Sequence, residues 1–128
     1  MTQPRRIAIV DDEPSVRSGL SNLLQSEGYA TIAFPSAEAF LNDGPAQPAI
    51  ALVIADLKLK GMNGAMLFER LQLSPAPPPV IFISGHDDET WQRYAGKPGA
   101  VAFLRKPIDI DILLEYVQRV LTNIEDNP

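Results

Sequence analysis

The sequence predicts an α/β fold, a parallel sheet with helices on both faces, on three observations. Five short apolar runs, at 7–10, 29–34, 50–56, 80–83 and 101–104, alternate with segments of helical periodicity, which is the pattern of linked βαβ units. The third run, Ile50-Ala51-Leu52-Val53-Ile54-Ala55, is apolar without a break, as a strand buried on both faces has to be. Four of the runs end on carboxylates, a serine or a lysine. A parallel sheet gathers such ends along one edge, where open α/β sheets hold their ligands.

The elements follow in order. The first strand runs into an acidic loop, Asp11-Asp12-Glu13. Pro14 suits the first turn of a helix, where its missing N–H would be unpaired anyway. Val16, Leu20, Leu23 and Leu24 follow at helical spacing, and Gly28 closes the element as the residue after its C-cap. Residues 29–34 form the second strand, and Pro35-Ser36 opens a helix through Ala37, Phe40 and Leu41, with the Ser36 hydroxyl as N-cap. Residues 42–48 read as loop.

The third strand ends at Asp56, and the glycine-punctuated loop Lys58-Leu59-Lys60-Gly61-Met62-Asn63-Gly64 comes next. Met66, Leu67, Phe68 and Leu71 mark a third helix. Ser74-Pro75-Ala76-Pro77-Pro78-Pro79 cannot be helical and reads as a stiff surface connection. The fourth strand ends in Ser84-Gly85-His86. A short polar helix over 87–94 carries Trp91 and is stopped by Gly96, Pro98 and Gly99. The fifth strand finishes in Arg105-Lys106-Pro107. Asp109 caps the last helix, whose predicted apolar face is Ile110, Leu113, Leu114, Val117, Leu121 and Ile124.

Composition narrows the function. A chain of 128 residues fits one domain with a single core. A net charge of −5 with no block of Lys or Arg argues against direct nucleic-acid binding by this segment. There is no cysteine, so neither a disulfide nor a thiolate metal site exists. The apolar runs fall far short of the roughly 20 residues that span a bilayer. The polar, basic residues 1–6 pass straight into a strand and leave no room for a signal peptide, so a cytoplasmic location without membrane contact is expected.

The strand ends carry the chemistry. Asp11 and Asp12 follow the first strand, Asp56 ends the third, Ser84 the fourth, and Lys106 follows the fifth. Taken singly, Asp12 is an N-cap, Ser84 a turn residue and Lys106 a solvated loop lysine, while Asp56 reads equally as a cap or a working group. Their joint placement on one edge is hard to attribute to capping. Carboxylates crowded together repel one another unless a cation joins them. Mg²⁺ suits an oxygen donor set of this kind. With a lysine ammonium and a serine hydroxyl beside them, the group fits a phosphoryl around an aspartyl nucleophile.

These residues resemble the receiver domain of two-component response regulators, over essentially the whole chain, 1–128. The resemblance rests on Val10-Asp11-Asp12-Glu13, on Asp56 with Gly64 eight residues on, on Ser84-Gly85, and on Lys106-Pro107, 22 residues after Ser84. Phe34-Pro35-Ser36-Ala37-Glu38-Ala39-Phe40-Leu41 and Gly85-His86 are similar to the FixJ-like branch of that family. The resemblance implies a flavodoxin-like doubly wound five-stranded parallel sheet in the order 2-1-3-4-5, with helices on both faces. It implies Asp56 as phosphoacceptor, and Mg²⁺ held by Asp11, Asp12, Asp56 and the backbone carbonyl of Lys58. Ser84 would hydrogen-bond the phosphoryl group, Lys106 would pair with it, and Phe103 would be the switch aromatic. A cis Lys106-Pro107 bond is expected.

The implied function is that of a switch rather than a turnover enzyme, one that promotes its own phosphorylation and dephosphorylation. A histidine kinase or phosphotransfer protein would supply the phosphoryl group, and the surface of helix four, strand five and helix five would change partner in response. A homodimer formed on phosphorylation and a DNA-binding output domain beyond Pro128 are further expected partners, although a stand-alone receiver fits the same residues. Three features depart from the family pattern. Leu59-Lys60 stands where Met-Pro is common, Lys58 and His86 flank the site where dephosphorylation is tuned, and Tyr94-Ala95-Gly96-Lys97-Pro98 interrupts the fourth helix. These departures motivate an alternative, a pseudo-receiver that binds its partner without phosphorylation. A Mg²⁺ phosphohydrolase is disfavoured, because Leu57-Lys58-Leu59 offers no second carboxylate to act as general acid.

Overall fold

A computed structural model of the chain describes residues 6–43, 50–85 and 89–126. Strand β3 (Ile50–Asp56) lies in the middle of the sheet and is buried from its second residue to its last. It is flanked by β1 (Arg6–Val10) and β4 (Val80–Ser84), with β2 (Ala30–Phe34) and β5 (Ala100–Arg105) at the edges. Every pairing is parallel, and the order is β2-β1-β3-β4-β5, as the resemblance implies.

Side chains alternate across a strand, so one apolar run feeds two cores. Val10, Val53, Ala55, Val80 and Phe82 face one layer, where they meet Phe40 of α2 (Ala37–Asp43), Leu67 and Phe68 of α3 (Gly64–Leu71) and Tyr94 of α4 (Glu89–Tyr94). Ile7, Ile9, Leu52, Ile54, Ile81 and Ile83 face the other, against Leu20 and Leu24 of α1 (Pro14–Ser26) and Leu113, Val117 and Leu121 of α5 (Ile110–Asp126). Each such side chain contributes roughly 1.5–3 kcal/mol by leaving water. The two layers together explain why β3 and β4 carry no polar residue until their carboxyl ends.

The helix starts obey local chemistry. Ser36 Oγ accepts the Ala39 N–H at 3.0 Å, and Asp109 Oδ1 accepts that of Ile112 at 3.2 Å. A cap not anticipated from sequence is Asn63, whose Oδ1 accepts the Met66 N–H at 2.9 Å and starts α3 two residues before its first apolar marker. Gly28 has φ +91°, and the chain reverses there so that the Tyr29 N–H reaches the Leu24 carbonyl at 3.0 Å.

Two sequence expectations are corrected. Ile110 is 51 % exposed and belongs to neither core, because it sits in the first turn of α5, ahead of the stretch that lies on the sheet. Periodicity gives the direction of a stripe but not how far the sheet extends beneath it. The side chain of Ile124 lies outside the described residues. Helix α4 is also less polar in role than its composition suggests. Trp91 and Tyr94, three residues apart and so on one face, pack against Phe82 and Phe68 with ring centroids 5.8 and 5.5 Å apart. Tyr94 also donates its hydroxyl to Glu69 of α3 at 2.8 Å. Asp87 and Asp88, expected at the start of this helix, lie outside the described residues. Among the described residues no helix is long and apolar enough to cross a membrane.

Candidate functional site

Strand register brings the polar ends together. Val10 pairs with Ala55 and Asp56 with Ile83, so Asp11, the residue after β1, comes level with Asp56 on the next strand. Ser84 pairs with Arg105, and the following residue, Lys106, donates its N–H to the Ser84 carbonyl at 2.8 Å. The Lys106–Pro107 peptide is cis.

The Lys106 ammonium is the hub. It donates to Asp56 Oδ2 at 2.8 Å and to Glu13 Oε1 at 3.1 Å, and it lies 3.0 Å from Asp11 Oδ2. Burial by itself would lower the lysine pKa, but the hydrogen bonds and charge of these carboxylates outweigh it and hold the ammonium above the ordinary lysine value. Asp11 shows the opposite balance. Its complete burial pushes the carboxyl up, and this outweighs the Glu13 N–H, 2.8 Å from Oδ1, and the nearby ammonium. Asp11 Oδ2 is buried with no donor among the described residues aligned on it, so its closeness to Lys106 is an ion pair rather than a hydrogen bond.

Asp11, Asp12, Glu13 and Asp56 each offer a carboxylate oxygen within 4.8 Å of the others. Among the described residues one ammonium faces these four carboxylates and does not balance them, and Asp11 Oδ2, ion-paired without an aligned donor, keeps lone pairs for a cation. An all-oxygen set of this charge fits a hard divalent cation such as Mg²⁺.

The loop after β3 is tied down at several points. The Lys58 N–H donates to Asp56 Oδ1 at 2.8 Å, the Lys60 N–H to Asp12 Oδ2 at 3.2 Å, and the Met62 N–H to Glu38 Oε2 at 3.1 Å. Leu57 and Leu59 are both buried in the α2–α3–α4 core, so Leu59 anchors the loop as an apolar residue. Gly64 explains its own spacing from Asp56. A Cβ there would collide with the Asp56 carbonyl oxygen and come to 3.0 Å from Leu57 Cα. These are backbone atoms of the central strand's exit and cannot swing aside. Gly64→Ala is therefore expected to cost about 1–3 kcal/mol by overpacking, read as a lowered denaturant midpoint; an unchanged midpoint would contradict the close approach.

Glu38 supplies a pH-dependent tie. The Met62 N–H holds its carboxyl below the usual value of 4.5. A depressed carboxyl stabilises the fold above the unfolded value and loses that effect as pH falls through the lowered one. Glu38→Ala should therefore melt earlier than wild type at pH 7, and the gap should close on acidification below the ordinary glutamate range. A gap that stays constant with pH would refute the contact.

The remaining predicted residues, Ser84, Phe103, Lys58 and His86, meet different outcomes. Ser84 is completely buried at the end of β4, next to the carboxylates' strand. Phe103 is not at the carboxylates. It pairs with Phe82 across the sheet and stacks on Trp91, centroids 6.0 Å apart and planes inclined by 23°. Lys58 enters through its N–H, and its side chain is exposed. His86 lies outside the described residues. Sequence reasoning assigned no role to Glu13, although a third acid following Asp11-Asp12 was a visible hint. It also passed over Arg17, whose Nη1 donates to the Asp11 carbonyl oxygen at 2.7 Å from the first turns of α1.

Comparison with known proteins adds a lineage to this geometry. The sequence pattern of the response regulator receiver domain matches residues 7–118. The chain is 32 % identical over 125 residues to the transcriptional regulatory protein FixJ of Bradyrhizobium diazoefficiens, covering 98 % of this chain and 60 % of that protein. It is 38 % identical over 115 residues to the response regulator protein TmoT of Ectopseudomonas mendocina, covering 90 % and 52 %. The solved structure of FixJ-N superposes with a TM-score of 0.80 at 34 % identity, covering 93 % of this chain and 94 % of that one. The chain thus spans a little over half the length of these curated relatives, which are named as regulators and not as turnover enzymes.

Proposed function

The chain belongs to the response regulator receiver domain family, and from that premise we propose that it accepts a phosphoryl group on Asp56 from the phosphohistidine of a kinase or phosphotransfer protein. The observation that carries the reading is the Lys106 ammonium, 2.8 Å from Asp56 Oδ2, at the mouth of a four-carboxylate cluster on the carboxyl edge of the sheet. An Asp56 carboxylate oxygen attacks phosphorus, the phosphorus–nitrogen bond of the donor breaks, and the histidine nitrogen leaves with the electron pair, giving an aspartyl phosphate. The second Asp56 oxygen, Oδ1, stays oriented by the Lys58 N–H. Lys106 turns from the free carboxylate to the phosphoryl oxygens, and the Ser84 hydroxyl donates to them from the neighbouring strand.

Asp11, Asp12, Asp56 and the Lys58 carbonyl are the proposed Mg²⁺ ligands, and Glu13 stands within the same carboxylate group. When bound, the ion supplies positive charge against the phosphoryl oxygens. On phosphorylation Ser84 moves toward the new group and Phe103 follows. Because Phe103 stacks on Trp91, its movement repacks α4 against β5 and alters the α4–β5–α5 surface. That surface would then engage a second copy or an output domain, and the setting is the cytoplasm, where kinase and donor phosphate are found.

Intact-protein mass spectrometry tests the proposal. Incubation with Mg²⁺ and acetyl phosphate should add one phosphoryl group, and chelation of the metal should abolish the gain. No mass gain with acetyl phosphate, phosphoramidate or a phosphorylated kinase would overturn it.

A further inference from the structure

We propose that the backbone N–H of Lys60 is a latch that aims the Asp12 carboxylate into the cation site. This rests on the reading of Asp12 as a metal ligand. The N–H donates to Asp12 Oδ2 at 3.2 Å, joining segments 48 residues apart in sequence. The Lys60 side chain is exposed and plays no part; the donor is the main chain, and a proline at this position would have no N–H to give.

The donor is held in place on both sides. Leu59, its immediate neighbour, is buried in the core, the Lys58 N–H is fixed on Asp56 Oδ1, and the Met62 N–H is fixed on Glu38. Asp12 by contrast stands in the loop after β1, only partly buried, and its carboxylate gains direction from the partner it meets across the site. A carboxylate that accepts one hydrogen bond on Oδ2 keeps lone pairs for a cation. Fixing its rotamer beforehand removes an ordering cost that metal binding would otherwise carry. Outer hydrogen bonds of this kind change metal affinity by about 10–100-fold. Lys60 is thus a positioning residue, and Leu59-Lys60, where the chain departs from the common Met-Pro, adds a donor to the site.

Two substitutions separate the main chain from the side chain. Lys60→Pro removes the N–H, and Lys60→Ala keeps it. In calorimetric titration with Mg²⁺, Lys60→Pro should bind roughly tenfold more weakly than wild type, and Lys60→Ala should lose no affinity. Amide hydrogen exchange on the metal-free protein gives a second readout that does not depend on folding of the proline variant. The Lys60 amide should be protected in wild type, exchange faster in Asp12→Ala, and remain protected when Mg²⁺ is added. Unprotected Lys60, protection lost on adding Mg²⁺, or equal losses in the two Lys60 variants would overturn the latch. Wild type that binds no Mg²⁺ would overturn the metal reading and the latch's role with it, whereas normal wild-type binding with unchanged Lys60→Pro affinity would overturn the latch alone.

Discussion

Asp56→Asn is expected to take up no phosphoryl group under conditions that label the wild type completely. The substitution keeps size and shape but replaces the anionic carboxylate with a neutral amide, whose NH2 stands in place of Oδ2, the nucleophile. The amide oxygen, in place of Oδ1, can still accept from the Lys58 N–H, and Lys106 keeps Glu13 at 3.1 Å and Asp11 at 3.0 Å. Loss of one ion pair is offset by relief of repulsion among the remaining carboxylates, so stability should shift by no more than about 1 kcal/mol. A folded protein that cannot be labelled is the expected result. Labelling of Asp56→Asn at the wild-type level would assign the phosphate to another residue, and an unfolded variant would show that Asp56 is structural first.

Removing the hub should cost far more. Lys106→Ala leaves Asp11 fully buried and Asp56 nearly so, without the ammonium that both approach. Breaking one partner from a buried pair costs about 3–5 kcal/mol, because the charge left behind is uncompensated. The folded-state pKa of Lys106 lies above the ordinary 10.5. Its stabilisation is therefore fully present below that value and is lost only as pH rises past it. The gap between wild type and Lys106→Ala should accordingly persist through the neutral range and narrow under alkaline conditions as the lysine loses its proton, and also on acidification as the Asp11 carboxyl takes one up. Mg²⁺ should raise the variant's melting temperature more than the wild type's, since a dication takes over part of the missing charge. A metal-free variant as stable as wild type, or an equal Mg²⁺ shift in both, would mean that the carboxylates are compensated in some other way.

Much of the fold was legible because its causes are local. A run such as Ile50–Asp56 is apolar on both faces of its strand, and this demands helices above and below wherever the strand lies in the sheet. Ser36 and Asp109 cap helices through atoms three residues away, and side-chain type at one position suffices to expect them. Ile110 was misjudged because exposure depends on where the sheet ends, which periodicity does not encode. Trp91 and Tyr94 were legible only as members of a short polar helix, because the aromatic rings that receive them, Phe82 and Phe68, come from β4 and α3.

By itself the sequence determined the α/β class, the five strands, and the convergence of Asp11, Asp12, Asp56, Ser84 and Lys106 on one edge, since all of these follow from where apolar runs stop. The strand order came from family likeness, not from the residues, and pairing in the structure carries it directly. Only the tertiary structure decided which groups touch. It placed Lys106 among three carboxylates, brought Glu13 into the cluster, set Phe103 against Trp91, and gave Asp12 a donor from Lys60. Each of those contacts joins different elements or loops of the fold, and the Lys60 bond is made by a backbone N–H, which every residue except proline carries and which no side-chain pattern can reveal.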